Sequence, residues 1–312
     1  MSNIGREDAI AHLREHGYVV LQDVLGAAEL EILRSQFEDV TAAERENPFL
    51  GGLSQHPGTH ADDDAIEAFL AGSYDISAAE LARLMHRIRC TRTEQLETPW
   101  PVDIAAVNKL FLHLPTLFDN DNSQRIWNVL NKIEAAHLVE QPDVLGLVHE
   151  VLGEDCVLSD CSASSIGAHT EGGAWHVDVP LGQLPEPLPD FPLTTQNAFM
   201  LDDFTAHNGA TRVVPGSHLT RRKPRWTEDG VDGEITLTAP AGSVAIWLSN
   251  TWHRSGPNET DAPRRAILCY YCRSWIKPFN DFQGSIPAEK AATFSTRLRY
   301  LLGYSGVAPV RG

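Results

Sequence analysis

The chain has little positive charge. Against 42 Asp and Glu, its 312 residues carry 25 Lys and Arg, a formal charge of −17, and no basic cluster is longer than Arg221-Arg222-Lys223. Binding to a phosphate backbone depends on gathered Lys and Arg, so the composition argues against nucleic acid as a partner. The acidic excess reads as a solubility device. No apolar run approaches the ~20 residues that a membrane span needs. Met1 to Asp8 hold no basic patch followed by an apolar stretch, so neither a membrane anchor nor a secretory leader is expected. Cysteine is sparse: Cys90, Cys156, Cys161, Cys269 and Cys272 are an odd set, and Cys269-Tyr270-Tyr271-Cys272 has no second pair to complete a zinc site. On a strand, i and i+3 face opposite ways, so reduced structural thiols and a cytoplasmic location are the expectation. Internal repeats and low-complexity tracts are also missing.

What is present is enough for a large core, with 42% hydrophobic residues. Helical spacing is read over Arg6–His16, ending at Gly17, over about 27–43, and near 78–90, 124–138, 142–152 and 288–303. Tyr18–Leu21 reads as a short strand. From about Val157 the texture changes to β-branched runs between turn signals such as Asn208-Gly209 and Pro215-Gly216. Ser243–Leu248 and Arg265–Tyr271 read as buried strands. Residues 47–66 lack periodicity and read as a surface loop covering a site opening. Five prolines between Pro180 and Pro192 forbid helix and interior strand, which leaves a stiff loop. Helices first and strands second predict a single domain, mainly β with flanking helices. Its helical part covers about 1–155, an antiparallel barrel or sandwich about 156–275, and a closing helix about 288–303.

The chemistry sits in Trp175-His176-Val177-Asp178 and in the distant Trp252-His253. His176 and Asp178 are i and i+2, so on a strand both side chains point to one side. A histidine from a neighbouring strand would complete a two-His, one-carboxylate facial set, which suits iron(II) and leaves coordination positions open. Glu171-Gly172-Gly173 before the motif lets backbone pass close to another strand. Gly256-Pro257-Asn258-Glu259-Thr260-Asp261 is rich in turn residues. If that stretch is a hairpin, Arg264 returns near the metal, where its guanidinium can clamp a carboxylate through two parallel hydrogen bonds. Ser255 faces the same way as His253 and adds a hydroxyl donor. Metal plus carboxylate clamp implies a 2-oxo-acid cosubstrate, and hence an oxygenase. Two other readings use the same residues: a zinc hydrolase on the same three ligands, which leaves Arg264 without a task, and a non-catalytic small-molecule-binding barrel. His56 and His60 beside Asp62, Asp63 and Asp64 read as a solvated loop. His169 is placed at the pocket mouth, and Trp175, Trp247 and Trp252 are read as packing. Of Gln196, Asn197 and Phe199, some should face the cosubstrate, but alternation alone does not fix which.

These residues resemble the phytanoyl-CoA dioxygenase-like family of Fe(II)/2-oxoglutarate-dependent oxygenases. The resemblance runs through His16-Gly17-Tyr18-Val19-Val20-Leu21, Gln141-Pro142-Asp143 to Gly153, and Leu201-Asp202-Asp203-Phe204-Thr205. It continues in Asn208-Gly209-Ala210-Thr211, Val214-Pro215-Gly216-Ser217-His218, and His253-Arg254-Ser255-Gly256-Pro257-Asn258 followed by Arg264-Arg265-Ala266. It implies a double-stranded β-helix, or jelly-roll, with His176, Asp178 and His253 on iron and Arg264 on the far carboxylate of 2-oxoglutarate, Ser255 assisting. Arg264 and Arg265 are adjacent and face opposite ways; Arg264 matches the family position. The resemblance further implies that Fe(II), 2-oxoglutarate and O2 serve to hydroxylate or otherwise oxidise a C–H bond of a small organic molecule. Succinate and carbon dioxide are released. A carboxylate at Asp178 favours that outcome over halogenation. With no basic patch for nucleotide phosphates, a dedicated acyl-CoA site is not expected; the helical and loop insertions and the proline-rich loop suggest a bulky or extended substrate, such as a natural-product intermediate.

Overall fold

A computed structural model describes residues 5–46, 123–178, 180–224 and 231–305, with scattered positions between 64 and 85. Helix α1 (Arg6–His16) stops at Gly17, whose φ of 81° is left-handed and whose N–H caps Leu13 O. A Cβ at that position would collide with Thr251 Oγ1 and the His218 ring, so only glycine allows this tight turn into β1 (Tyr18–Leu21). Helix α2 (Ala27–Glu46) follows. The expected loop at 47–66, with His56 and His60, lies outside the described residues apart from Asp64. So does most of the expected helix at 78–90, although Ala78, Ala79, Leu81, Ala82 and Met85 within it are helical.

The helix expected over 124–138 is not there. Gln124–Ile126 is strand β2, paired to the edge of a sheet, and only Val129–Lys132 (α3) and Ala136–Val139 (α4) are helical. Asn128 at φ 55° breaks the run. Helix α5 (Pro142–Leu152) forms as expected, with Gln141 capping Val144 N at 2.8 Å. A short helix α6 (Phe282–Ser285) precedes the expected closing helix, which is likewise divided, into α7 (Ala288–Ala291) and α8 (Thr296–Leu301). Ser295 starts a new helix there by accepting from Leu298 N at 2.9 Å.

The remaining strands are β3 (Val157–Ile166), β4 (Thr194–Met200), β5 (Thr211–Val213), β6 (Ile235–Thr236), β7 (Val244–Leu248), β8 (His253–Ser255) and β9 (Arg264–Cys272). Six strands form one antiparallel sheet in the order β1-β7-β4-β9-β3-β2, and three form a smaller one, β6-β5-β8. The strands form two facing sheets rather than one closed ring, in a jelly-roll arrangement.

Alternation divides the large sheet cleanly. Phe199, Ile246, Ile267, Cys269 and Tyr271 pack against Leu13 of α1, Leu33 and Phe37 of α2, and Leu145 and Val148 of α5. Ala198, Met200, Ala245, Trp247, Ala266 and Leu268 face the smaller sheet and meet Phe204, Val213 and Leu237. Register then settles residues that sequence left open. Asn197 lies opposite Ile246 and Cys269, so Asn197 and Phe199 face the helices. Gln196 lies opposite Trp247 and Tyr270 and faces inward. Cys156, Cys161, Cys269 and Cys272 are buried free thiols, and burial raises the pKa of Cys156 and Cys272 to about 12, which keeps them unreactive.

The same alternation separates the two arginines. Arg265 points to the helix side, where Nε and Nη2 fork onto Asp202 at 2.9 and 2.8 Å and Nη1 reaches Glu38 at 2.5 Å. Arg265→Ala leaves a half-buried Asp202 with its best donors gone. It is expected to lower unfolding stability by about 2 kcal/mol while leaving any cosubstrate requirement unchanged, as chemical denaturation and saturation curves will show.

Candidate metal centre

The segment 170–178 runs beside β8 because Gly172 allows it. At φ 89°, a Cβ there would sit 2.7 Å from Ser255 O and 2.8 Å from the Gly256 carbonyl carbon. The expected close approach is therefore real and depends on glycine. His176 and His253 then exchange both backbone hydrogen bonds, at 3.0 and 3.1 Å, which sets the two imidazoles side by side with ring centroids 4.2 Å apart. Asp178 is anchored by its own N–H, which donates to Ser249 O at 2.9 Å. Its Oδ1 stands 3.3 Å from His253 Nε2 and 3.9 Å from His176 Nε2. One ligand atom from each of the three residues falls within 4.8 Å of the others.

The outer nitrogens fix what the inner ones can do. His176 Nδ1 lies 2.9 Å from Ala174 O and His253 Nδ1 2.8 Å from Thr251 O. A carbonyl only accepts, so each Nδ1 carries a hydrogen and each Nε2 faces the cluster, where its lone pair can serve a metal. Asp178 Oδ2 is buried with no hydrogen-bond donor among the described residues, a costly state for a carboxylate unless a cation completes it. The donor set and the orphaned oxygen both fit a divalent metal of the iron type.

Charge coupling follows from these distances. Burial works against charge on His253, but the Asp178 carboxylate outweighs it and raises the His253 pKa. Asp178 is held low against its burial by His253. Desolvation and the neighbouring His253 lower His176 to about 4, an effect tempered by the 49% of its side chain open to water. A folded-state value below the unfolded 6.5 means the unfolded chain binds the extra proton. That share of stability is full above pH 6.5 and is lost as pH falls towards 4. In metal-free protein, His176→Asn is expected to flatten the fall in melting temperature between pH 6.5 and 4; an unchanged slope would assign the fall to other groups.

The expected hairpin after β8 is not formed. Strand β8 pairs with β5, whereas β9 belongs to the large sheet, so residues 256–263 cross from one sheet to the other. Asn258 organises that crossing: its Nδ2 donates to Ile166 O and Ala262 O at 3.1 and 2.9 Å, and its Oδ1 accepts from Thr260 N at 3.0 Å. Sequence reading noted Asn258 but gave it no role, although a buried Asx turn is what Pro257-Asn258 promises. Arg264 still enters the interior, now from the opposite wall. It is buried, donates from Nη2 to Gly209 O at 2.5 Å and lies 4.3 Å over the Phe204 ring, with Nε unpartnered. Burial, joined by the Arg125 charge, outweighs the pull of the Asp202 carboxylate and lowers its pKa to about 9, so the guanidinium stays charged with only a carbonyl as hydrogen-bond partner among the described residues. Gly209 N donates to Pro257 O at 2.9 Å, which ties this end of the guanidinium to the chain just beyond Ser255.

Other expectations resolve locally. Trp247 packs inward, 5.3 Å from the His253 ring, and Trp252 is pinned by Nε1 donating to Arg222 O at 2.7 Å. His169 is exposed and paired with Asp261 at 2.9 Å. Arg125 of β2, which carried no sequence signal, faces inward opposite Ser164, and its charge adds to the field at His176 and Arg264.

The fold resembles that of the non-heme alpha ketoglutarate dependent carbocyclase SnoK from nogalamycin biosynthesis, with a TM-score of 0.53 at 17% identity over 88% of each chain. Sheets and site together define a non-haem iron, 2-oxoglutarate-dependent dioxygenase. The model of the phytanoyl-CoA dioxygenase (PhyH) family matches residues 13–266, and the chain belongs to that family. Dioxygenase af480 of Aspergillus fumigatus is 27% identical over 314 residues, spanning 98% of this chain and 80% of the relative. A probable alpha-ketoglutarate-dependent hypophosphite dioxygenase of Stutzerimonas stutzeri is 25% identical over 253 residues, 70% of this chain and 81% of the relative. Among the described residues no helix is long and apolar enough to cross a membrane.

Proposed function

We propose that this single-domain chain hydroxylates or otherwise oxidises a C–H bond of a small organic molecule of the natural-product type. His176, Asp178 and His253 would hold iron(II), and Arg264 with Ser255 would hold the far carboxylate of 2-oxoglutarate. The observation that carries this reading is the pairing of two unmet demands among the described residues: a buried Asp178 oxygen with no hydrogen-bond donor beside two inward-facing Nε2 atoms, and on the opposite wall a buried guanidinium with no carboxylate hydrogen-bonded to it. Bound iron with 2-oxoglutarate supplies an oxidant for an unactivated C–H bond, consuming dioxygen and releasing succinate and carbon dioxide. The chain's own work is to hold and orient. The two Nδ1–H bonds fix ring direction, Asp178 supplies the negative charge, and Phe204 under Arg264 keeps water from the clamp.

Val177, which points away from the cluster, packs with Leu181, Leu188 and Leu193 in a buried apolar group, with Trp252 and Ile276 against it, so the proline loop braces the segment that carries His176 and Asp178. Succinate release should require iron(II), 2-oxoglutarate, dioxygen and an organic substrate together. Hydrolysis supported by zinc alone, with no response to 2-oxoglutarate, would overturn the proposal.

A further inference from the structure

Behind the candidate centre, on the outer face of the smaller sheet, lies a charged network with no part in holding metal or cosubstrate. Arg212 of β5 and Arg254 of β8 are directly opposed across the strands. Two like charges in that register repel and would splay the pair. Glu234, just before β6, sits between them: its Oε1 accepts from Arg212 Nη1 at 2.7 Å and its Oε2 from Arg254 Nη2 at 3.4 Å. All three side chains are only about a fifth exposed, at 22%, 20% and 23%, so the attraction is weakly screened. Arg254 also lies 4.9 Å over the Trp175 ring, a cation–π contact that joins β8 to the segment carrying His176. The packing is close as well, since a Cβ at Gly256 would meet Arg212 Nε at 3.1 Å.

The sequence positions make this network consequential. Trp175 adjoins His176 and Arg254 adjoins His253, each pointing away from the cluster while its neighbour points into it. A shift of Arg254 therefore tilts the His253 ring, and a shift of Trp175 tilts that of His176. We infer that Glu234 is a positioning residue for the metal centre, setting the separation of the two histidine-bearing segments from behind the sheet. The inference rests on the reading of His176, Asp178 and His253 as metal ligands.

The test titrates cobalt(II), a coloured stand-in for iron(II), into the full chain and follows visible absorption and melting temperature. Wild type should bind one cobalt, and His253→Ala should lose the band; if the band persists in His253→Ala, the ligand reading fails, and this inference with it. With that control met, Glu234→Gln should bind cobalt about tenfold more weakly, in the range by which outer partners affect affinity, with a shifted band. Arg212→Gln should stay within about twofold of wild type, and adding it to Glu234→Gln should recover much of the loss by removing the repulsion. Should Glu234→Gln not fold, Arg254→Lys carries the test, because it keeps the charge but loses the flat contact with Trp175; several-fold weaker cobalt binding is then expected. An unchanged band and affinity in the folded variant, with only the melting temperature lowered, would make the network purely structural and overturn the inference.

Discussion

His176→Ala is expected to abolish iron-dependent turnover while leaving the protein folded. The two halves of that expectation have separate causes. With 49% of its side chain exposed, His176 is outside the apolar core, so truncation removes little buried surface and opens no cavity. Its Nε2 is nevertheless one of the three candidate ligand atoms that cluster within 4.8 Å among the described residues. Losing an outer partner of a metal ligand costs roughly 10–100-fold; losing the ligand itself should cost more, leaving a metal held by Asp178 and His253 alone. Circular dichroism and thermal unfolding should match wild type in metal-free protein at neutral pH, and metal analysis should show the site empty after dialysis. Normal turnover in this variant would remove His176 from the site.

Arg264→Ala is the second large effect, and of a different kind. The guanidinium is buried, charged and, among the described residues, hydrogen-bonded to a single acceptor, the Gly209 carbonyl, so a carboxylate docking there gains two charge-assisted hydrogen bonds in a poorly solvated setting. Removing it should cost on the order of 2–4 kcal/mol of cosubstrate binding, about 30- to 1000-fold. The 2-oxoglutarate requirement should rise steeply while metal binding stays intact, because Arg264 belongs to the opposite sheet. Arg265→Ala provides the contrast: it shares the strand but faces the helices on Asp202 and Glu38, so it should lose stability and keep its cosubstrate affinity. If the two variants behave alike, the inward assignment of Arg264 is wrong.

Much of the site could be read from the chain because its signals are local. The i, i+2 spacing of His176 and Asp178 places both candidate ligands on one side of an extended segment, and Gly172 marks the close approach that brings them to β8. Strands Val244–Leu248 and Arg264–Cys272 announce themselves as apolar runs, and Arg6–His16 and Pro142–Leu152 by helical spacing and their boundaries. What sequence did not carry was membership of a sheet. Gln124–Ile126 is three residues long, too short to show a period of two, and becomes a strand only because the edge of β3 pairs with it. Residues 256–263 look like a hairpin because turn residues are the same whether a chain folds back or crosses to another sheet. Likewise, which of Gln196, Asn197 and Phe199 faces inward depended on registers with Trp247 and Tyr270 that lie far away in sequence.

The central claim is that one metal held by His176, Asp178 and His253 and one guanidinium on the facing wall bind 2-oxoglutarate together. Calorimetric titration of 2-oxoglutarate into the anaerobic iron(II)-loaded protein tests it most directly. Binding to a single site per chain, lost on removing the metal or in Asp178→Ala and weakened at least about 30-fold in Arg264→Ala, is the expected result. Binding that is indifferent to the metal and to both substitutions, or no binding at all, would contradict it.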